Sequence, residues 1–185
     1  MSHFLKTKKG EKTINAFVLI LYLLLSFILA SLIITFVCER SKISGSSMHP
    51  HFKNKDQILI EKLSYRFRKP RRFEVVAILM GKQRKREYYI KRIVALPNER
   101  IQIKKGCLYV NGQKLDEHYG LEPIKRAGLA RRTITLNDHE YFVLGDNRND
   151  SLDSRDERVG MVVRKEIIGR AWIKISRKRR SLSSF

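Results

Sequence analysis

One uncharged stretch constrains this chain more than any other feature of its sequence. Residues 16–37 read AFVLILYLLLSFILASLIITFV, which is 22 residues without a charged side chain. A helix of that length rises about 33 Å, close to the thickness of a hydrocarbon core. A buried core helix rarely runs so long without a polar face, and a cleaved export signal has a shorter apolar region of about 7–15 residues. The sequence therefore predicts a retained transmembrane helix over 16–37.

Flanking charge predicts the orientation of this helix. The residues before it carry four lysines and one glutamate, and a short basic segment favours the cytoplasmic side of a membrane. Large domains cross a membrane largely regardless of their charge. We therefore expect a single-pass protein of the cell membrane with a basic cytoplasmic tail at 1–15, an extracytoplasmic domain at 38–176 and a basic C-terminal tail at 177–185.

The charge of the chain limits its partners. The formal net charge is +21 over 185 residues, which points to nucleic acid or to an anionic membrane surface as the counterpart. A domain outside the cytoplasm meets no chromosome, and the chain has no recognised nucleic-acid-binding motif. We therefore expect anionic membrane lipids as a partner and no nucleic acid. A membrane-tethered nucleic-acid binder is the alternative, which a strongly salt-dependent affinity for oligonucleotides would support.

The two cysteines give no sign of a metal or a cofactor. Cys38 lies at the end of the apolar run and Cys107 lies far along the chain. This spacing matches neither a metal-ligand pair nor a disulfide framework. We expect no metal and no cofactor.

Short β-rich runs follow one another from residue 39 onward and predict an all-β domain built from antiparallel sheets. Turn signals separate the runs, among them Lys105-Gly106 and Asn111-Gly112. Many short strands with glycine-containing turns are typical of a sandwich or a barrel-like domain. Residues 113–132 are polar and predict a surface loop. The predicted strands are Gln57–Ile60, Phe73–Met80, Glu87–Leu96, Arg100–Lys104, Cys107–Val110, Thr133–Leu136, Glu140–Leu144, Met161–Val163 and Ala171–Ile175.

The segment SGSSMHP, residues 44–50, offers candidate nucleophiles. A serine hydroxyl needs an adjacent base to become a good nucleophile. Lys91 differs from the other lysines because it lies in the apolar strand YYIKRIVAL, where it is either an edge residue with a solvated ammonium or a desolvated base. A histidine oriented by Asp146 or Asp153 is the other option. The candidate histidines are His49, His51, His118 and His139.

A third polar segment, GDNRNDSLDSR at residues 145–155, follows directly after the apolar strand YFVLG. Such residues favour turns, and a surface loop is the simplest interpretation. The segment nevertheless begins where a core strand ends, which is a typical position for site residues held by a rigid scaffold.

These three segments, in this order and after an N-terminal apolar helix, resemble the bacterial type I signal peptidases. The single anchor and the short chain are similar to the Gram-positive-type members. The resemblance covers residues 16–175 and implies an antiparallel all-β serine endopeptidase that removes signal peptides with a Ser-Lys dyad. It implies Ser47 as nucleophile, because this serine directly precedes Met48, and Lys91 as general base.

The resemblance also implies supporting roles for other residues. Ser151 would hydrogen-bond and orient the Lys91 amine, and Asp153 and Arg155 would brace the site. Gly45 stands where some members place an oxyanion-binding serine, so the second oxyanion donor here would be a backbone N–H. Signal peptides of exported preproteins would bind with small residues at positions −1 and −3, in pockets formed by Ile43, Met48, Tyr89 and Ile90.

Four positions depart from the pattern of these peptidases. Phe73, Ala95 and Asn98 stand where glycine is usual, and His51 stands where threonine is usual. Asn98 tolerates a left-handed backbone, whereas Phe73 does so less readily. These departures indicate a divergent member. They leave open an alternative function as a specialised processing or assembly factor for particular surface proteins, with little general peptidase activity.

Overall fold

The computed structural model describes residues 2–79, 88–120, 122–175 and 182–184. The chain divides into two compact units, Met1–Cys38 and Glu39–Phe185. The first is almost entirely helix, and the regular structure of the second is mostly strand.

Helix α1 runs from Ser2 to Val37. It therefore extends through the segment that we expected to be a separate basic tail, 1–15. Within it, Asn15–Leu32 has a mean hydropathy of 2.4 and no buried residue. By length and composition this is the one described stretch that is able to cross a membrane. The segment from Glu11 to Val37 contains neither glycine nor proline, so nothing in the sequence interrupts the helix.

The second unit is built from short strands with few helical turns. The helical turns are α2, Ser64–Phe67, and the 3₁₀ turns Gly128–Arg131 and Arg164–Glu166. The strands are β1 Cys38–Lys42, β2 Gln57–Glu61, β3 Val75–Leu79, β4 Tyr88–Ala95, β5 Arg100–Lys104, β6 Cys107–Val110, β7 Gln113–Lys114, β8 Ile134–Thr135, β9 Glu140–Leu144, β10 Val162–Val163, β11 Ile167–Ile175 and β12 Leu182–Ser184.

The strands form a large sheet and a small one. The order in the large sheet is β1-β2-β11-β3-β4-β9-β10, with β12 paired to β11, and the order in the small sheet is β7-β6-β5-β8. Every pair whose register is described is antiparallel. The predicted fold class, an antiparallel all-β domain after one N-terminal apolar helix, is therefore confirmed.

The predicted bounds of β5, β6 and β9 agree with the structure at both ends. Buried residues alternate with more exposed ones in β5 and β6, whereas β9 is a short run of buried apolar residues. β11 begins four residues earlier than predicted, at Ile167, because two of its first buried positions are Gly169 and Ala171, which are too small to give a clear apolar pattern. Met80 and Glu87, which we placed in strands, lie outside the described residues.

Two segments that appeared irregular in sequence contain short stretches of regular secondary structure. Residues 113–132 are mostly loop, as predicted, but β7 and the turn Gly128–Arg131 lie within them. In the predicted tail 177–185, Leu182–Ser184 forms β12 and the remaining residues lie outside the described part of the chain.

Candidate active site

The segment that carries Ser47 is fixed by its apolar neighbour. Met48 is 1% exposed and packs with the fully buried Phe52 in an apolar cluster beneath the segment. Ser47 itself remains partly exposed. The backbone turns sharply here, since Gly45 has φ +89° and the His49 N–H donates to the Ser46 carbonyl at 2.9 Å. The burial of Met48 therefore leaves the serine hydroxyl at the surface of a firmly packed turn.

Strand β4 brings Lys91 to this hydroxyl. Lys91 is 3% exposed, and its Nζ donates a hydrogen bond to Ser47 Oγ at 2.8 Å. Burial lowers the pKa of Lys91 from its ordinary 10.5 to about 8, because the charged amine loses water; the Asp153 and Asp146 carboxylates oppose this shift, and the Arg155 guanidinium adds to it. The structure thus joins a serine hydroxyl to a lysine whose neutral form is accessible near neutral pH.

The third polar segment holds the Ser47 segment by its backbone. The Asn147 N–H donates to the Ser47 carbonyl at 3.0 Å, and Ser46 Oγ donates to Asp150 Oδ2 at 2.5 Å. Gly145 lies so close to Ser47 that a Cβ there would overlap the Ser47 carbonyl oxygen and Ser151 Oγ. Only glycine permits this approach. Sequence reasoning missed Ser46, Gly145, Asn147 and Asp150, although all of them lie in the segments that we had singled out.

The structure corrects one expected contact. Ser151 was expected to hydrogen-bond the Lys91 amine, but Ser151 Oγ is buried with no hydrogen-bond partner among the described residues. The hydroxyl lies instead against the Gly145 backbone, and the Lys91 amine donates to Ser47. Ser151 therefore lies next to the site, and no hydrogen bond joins its hydroxyl to the Lys91 amine in this structure.

Asp153 and Arg155 form a buried pair behind the site. Arg155 Nε and Nη2 donate to Asp153 Oδ1 and Oδ2, each at 2.8 Å. The Gly145 N–H also donates to Asp153 Oδ2 at 3.1 Å. The pair therefore fixes the backbone at the residue that touches Ser47.

A second buried pair joins the strand of Lys91 to the same segment. Arg92 donates two hydrogen bonds to Asp146, at 2.8 and 2.7 Å, and a third to the Phe73 carbonyl at 2.8 Å. The Tyr119 ring lies 3.7 Å from the guanidinium, and His51 Nδ1 lies 3.0 Å from Asp146 Oδ2. Sequence reasoning had considered Asp146 only as a partner of a histidine, and the arginine beside Lys91 was the missed signal.

Two departures from the usual glycine pattern are accommodated by the backbone. Phe73 has φ 69° and Asn98 has φ 66°, so both adopt the left-handed region without glycine. The prediction that Asn98 tolerates this conformation is confirmed. Phe73 is held there because its N–H donates to the Ile93 carbonyl at 2.8 Å and its own carbonyl binds Arg92. Ala95 is fully buried in β4.

A groove of about 460 Å³ runs along Ser47 and Lys91. All four residues expected to form substrate pockets line it, namely Ile43, Met48, Tyr89 and Ile90. Gly45 lines it as well, with its N–H bonded to Asn54 Oδ1 at 3.3 Å. The groove is therefore bounded by the first polar segment on one side and by β4 on the other.

The histidines lie elsewhere. His118 and His139 are largely exposed, beside Asp116 at 3.9 Å and Asp138 at 3.3 Å. His51 faces Asp146, as described above, and His49 is exposed. Among the described residues, the side chain that bonds the Ser47 hydroxyl is a lysine and not a histidine.

The fold is an antiparallel β architecture after an N-terminal apolar helix, and its groove presents a serine hydroxyl bonded to a buried lysine. Residues 15–175 match the family described as signal peptidase, peptidase S26, and the chain belongs to this family. The resemblance to bacterial type I signal peptidases is thereby confirmed.

Individual relatives agree with this family. A probable signal peptidase I-2 from Synechocystis sp. is 39% identical over 151 residues, which cover 80% of this chain and 67% of the relative. Signal peptidase I S from Bacillus subtilis is 32% identical over 155 residues, which cover 80% and 82%. A crystal structure of a signal peptidase I from Enterococcus faecalis has 31% identity and a TM-score of 0.46 over 56% of this chain and 97% of that one.

Proposed function

We propose that this chain is a membrane-anchored serine endopeptidase that removes signal peptides from exported proteins, with Ser47 as nucleophile and Lys91 as general base. The observation that carries the proposal is the 2.8 Å hydrogen bond between Lys91 Nζ and Ser47 Oγ at the wall of an open groove. The membership of the chain in the signal peptidase family supplies the substrate class.

The proposed reaction has two halves. Neutral Lys91 takes the proton of the Ser47 hydroxyl while Oγ attacks the scissile carbonyl carbon, which forms a tetrahedral intermediate. The intermediate collapses to an ester as the new N-terminus of the mature protein leaves with the proton from Lys91. Lys91 then takes a proton from water, the resulting hydroxide attacks the ester, and Ser47 recovers its proton as the signal peptide departs.

Backbone groups near Ser47 suit the developing oxyanion. The Ser47 N–H donates to no described residue, so it is available to the carbonyl oxygen of a substrate. Gly45 has no hydroxyl to offer, and we assign the second donor to a backbone N–H of the same turn. The Gly45 φ of +89° allows the sharp turn that exposes these groups.

The groove sets the proposed specificity. A signal peptide binds in extended form along β4, with its main chain paired to the strand and alternate side chains directed into the wall. Ile43, Met48, Tyr89 and Ile90 bound shallow pockets that accept small residues at positions −1 and −3. Cleavage therefore follows a small-x-small sequence.

Supporting residues hold the dyad in place. We assign to Asp153 and Arg155 the role of bracing the backbone of the third segment, and this role rests on their mutual hydrogen bonds and on the contact of Asp153 with Gly145. Ser151 is proposed to orient the Lys91 amine, which requires its unpartnered hydroxyl to turn toward the lysine once substrate is bound.

The proposed topology places residues 1–15 inside the cell, 16–37 across the membrane and the domain 38–176 outside, with anionic lipids attracted by the basic surface. Its support is the apolar window Asn15–Leu32 and the net charge of +21. Protease treatment of intact spheroplasts tests it. The domain is degraded from outside if the topology is correct, and it is protected if the orientation is reversed.

Cleavage of a purified preprotein in detergent or lipid tests the peptidase assignment. The wild type is expected to cut after a small-x-small site, whereas Ser47→Ala and Lys91→Ala are expected to remain folded and inactive. His49→Ala, His118→Ala and His139→Ala are the matched controls and are expected to retain activity. A folded wild type that cuts none of several preproteins would instead favour the specialised processing or assembly factor.

A further inference from the structure

A second cavity begins where the substrate groove ends. It encloses about 620 Å³ on the far side of the third polar segment. Asp150 and Leu152 line both the groove and this cavity, so the two spaces share a wall. Ser151 also lines the cavity, and it lies directly against the backbone that contacts Ser47. The cavity is therefore the neighbour of the groove across the wall formed by Asp150 and Leu152.

The aspartates of this cavity are already engaged. Asp150 accepts the hydrogen bond from Ser46, and Asp153 is buried against Arg155. Asp156 accepts two hydrogen bonds from Arg158, each at 2.8 Å. Asp153 and Asp156 are therefore neutralised by arginines, whereas Asp150 keeps its negative charge because its partner is a neutral hydroxyl. The lining as a whole still carries five basic side chains against three aspartates.

One cation of the same wall is unpaired among the described residues, and a second is paired only weakly. The Arg126 side chain forms no ion pair and no hydrogen bond with any described residue, and it is exposed at the cavity. The Lys125 ammonium lies 3.6 Å from Glu122 in a pair that is largely exposed, so it is held weakly. The wall therefore offers positive charge to an incoming group.

The backbone that carries these cations is fastened to the third polar segment at two points. The Lys125 N–H donates to Asn149 Oδ1 at 3.0 Å, and Arg155 Nη1 donates to the Arg126 carbonyl at 3.3 Å. Neither bond uses the Lys125 or Arg126 side chain. The two cations thus project from a backbone whose position is fixed relative to the site.

We propose that this cavity binds the mature part of the preprotein just beyond the scissile bond, and that Arg126 and Lys125 favour an acidic side chain there. The inference rests on the proposed function, because it assigns a binding place to the mature part of the preprotein, which is the product that leaves in the first half of that reaction. An extended substrate has its signal half in the groove, so its mature half leaves past the shared wall at Asp150 and Leu152. A carboxylate is the group that the unpaired Arg126, with the weakly held Lys125 beside it, binds best.

Substrate sets with matched charges test the proposal. The preproteins carry glutamate, glutamine or lysine at each of the first residues after the cleavage site in turn, and kcat/KM is measured in neutral detergent at low ionic strength. At one or more positions the wild type is expected to prefer glutamate over lysine by about threefold. Arg126→Glu is expected to reverse that preference, with each rate expressed relative to the glutamine substrate of the same position.

Arg132→Glu is the matched control. Arg132 is exposed in the same loop and lies outside the cavity, so its reversal changes the net charge equally. Preference that reverses only in Arg126→Glu supports the cavity assignment. No preference at any position, or an equal shift in both variants, would overturn it while cleavage of all substrates leaves the peptidase function intact.

An anionic lipid headgroup is the competing occupant, and a second arm distinguishes it. Wild type and Arg126→Glu are compared on the glutamine substrates in vesicles of neutral lipid and in vesicles with added phosphatidylglycerol. The same ratio of the two rates in both kinds of vesicle agrees with a site for the mature chain. A loss in Arg126→Glu on these uncharged substrates that is confined to the phosphatidylglycerol vesicles would overturn the proposal in favour of lipid.

Discussion

Arg92 and Asp146 face each other through two hydrogen bonds, at 2.8 and 2.7 Å, and both side chains are almost completely buried. The pair links the residue after Lys91 to the residue after Gly145. Removing one partner leaves an uncompensated charge in the core, so Asp146→Ala is expected to lower the free energy of unfolding by about 3–5 kcal/mol. Urea unfolding of the purified chain in detergent measures this loss.

The exposed pair Asp156–Arg158 is the control for that experiment. Its hydrogen bonds are as short as those of the buried pair. Water compensates for the loss of an exposed partner, so Asp156→Ala is expected to leave the unfolding midpoint nearly unchanged. Equal destabilisation by both substitutions would contradict the conclusion that the Arg92–Asp146 pair matters for stability because it is buried.

The lowered pKa of Lys91 predicts the pH dependence of cleavage. The base acts in its neutral form, and a pKa of about 8 leaves about one enzyme molecule in ten active at pH 7. The value of kcat/KM is therefore expected to rise about tenfold per pH unit below the pKa and to level off above about pH 8. A pH titration with a peptide substrate measures it, and a rise centred near pH 6.5 would indicate a histidine base instead.

Lys91 also imposes a cost on the fold. Unfolding returns the amine to water, where its pKa is again 10.5, so the unfolded chain binds more protons between pH 8 and 10.5. Lys91→Met is therefore expected to be inactive but more stable than the wild type by about 1–3 kcal/mol at pH 7. The gain should shrink as the pH rises from 8 toward 10.5, and urea unfolding across that range measures it. A gain that is constant with pH would mean that packing, and not the charge, is responsible.

Gly145 is expected to tolerate no side chain. A Cβ at this position would overlap the Ser47 carbonyl oxygen and come within 2.6 Å of Ser151 Cβ. Gly145→Ala therefore displaces the nucleophile, and a shift of about 1 Å is expected to lower kcat by about 100-fold. The control is Gly120→Ala, where a Cβ meets only the Arg148 side chain, at 3.2 Å. Full activity of Gly145→Ala would show that the close approach of Gly145 to Ser47 does not matter for catalysis.

The serines of the first segment are expected to differ in their effects. Ser46 donates to Asp150, whereas Ser44 has no such bond in the described structure. Ser46→Ala removes one tie between the first and third segments and is expected to lower kcat/KM by about three- to tenfold. Ser44→Ala is expected to match the wild type in the same peptide assay. Identical losses in the two variants would contradict the role given to the Ser46–Asp150 bond.

The fold was predictable where side-chain alternation reports one buried face. β5 and β6 follow that rule, and β9 was recognisable as a short run of buried apolar residues; the bounds of all three were correct. β1 was missed because CERSK contains no apolar alternation and lies at the edge of the sheet. The start of β11 was missed because two of its first buried positions are Gly169 and Ala171, which give no clear apolar pattern. Whether such segments form strands depends on partner strands that lie far away in the sequence.

Within the site, the order and chemistry of the polar segments pointed to Ser47 and Lys91. The contacts between these segments could not be predicted from the sequence. The Asn147 N–H that binds the Ser47 carbonyl is a backbone group, and any residue type supplies one. Ser151 illustrates the opposite case. Its position in the motif was recognisable, yet the direction of its hydroxyl depends on how closely Gly145 approaches.

The place of β11 in the large sheet makes the site depend on a strand that follows both Ser47 and Lys91 in the chain. This strand, Ile167–Ile175, lies between β2 and β3 and is paired with both. Among the described strands, β11 is therefore the link in the large sheet between β2, on the Ser47 side, and β3 and β4, on the Lys91 side. A chain whose synthesis has not reached β11 has both residues but lacks the strand that joins the two parts of the sheet. We therefore expect no cleavage, of a neighbouring chain or of itself, before β11 has been synthesised.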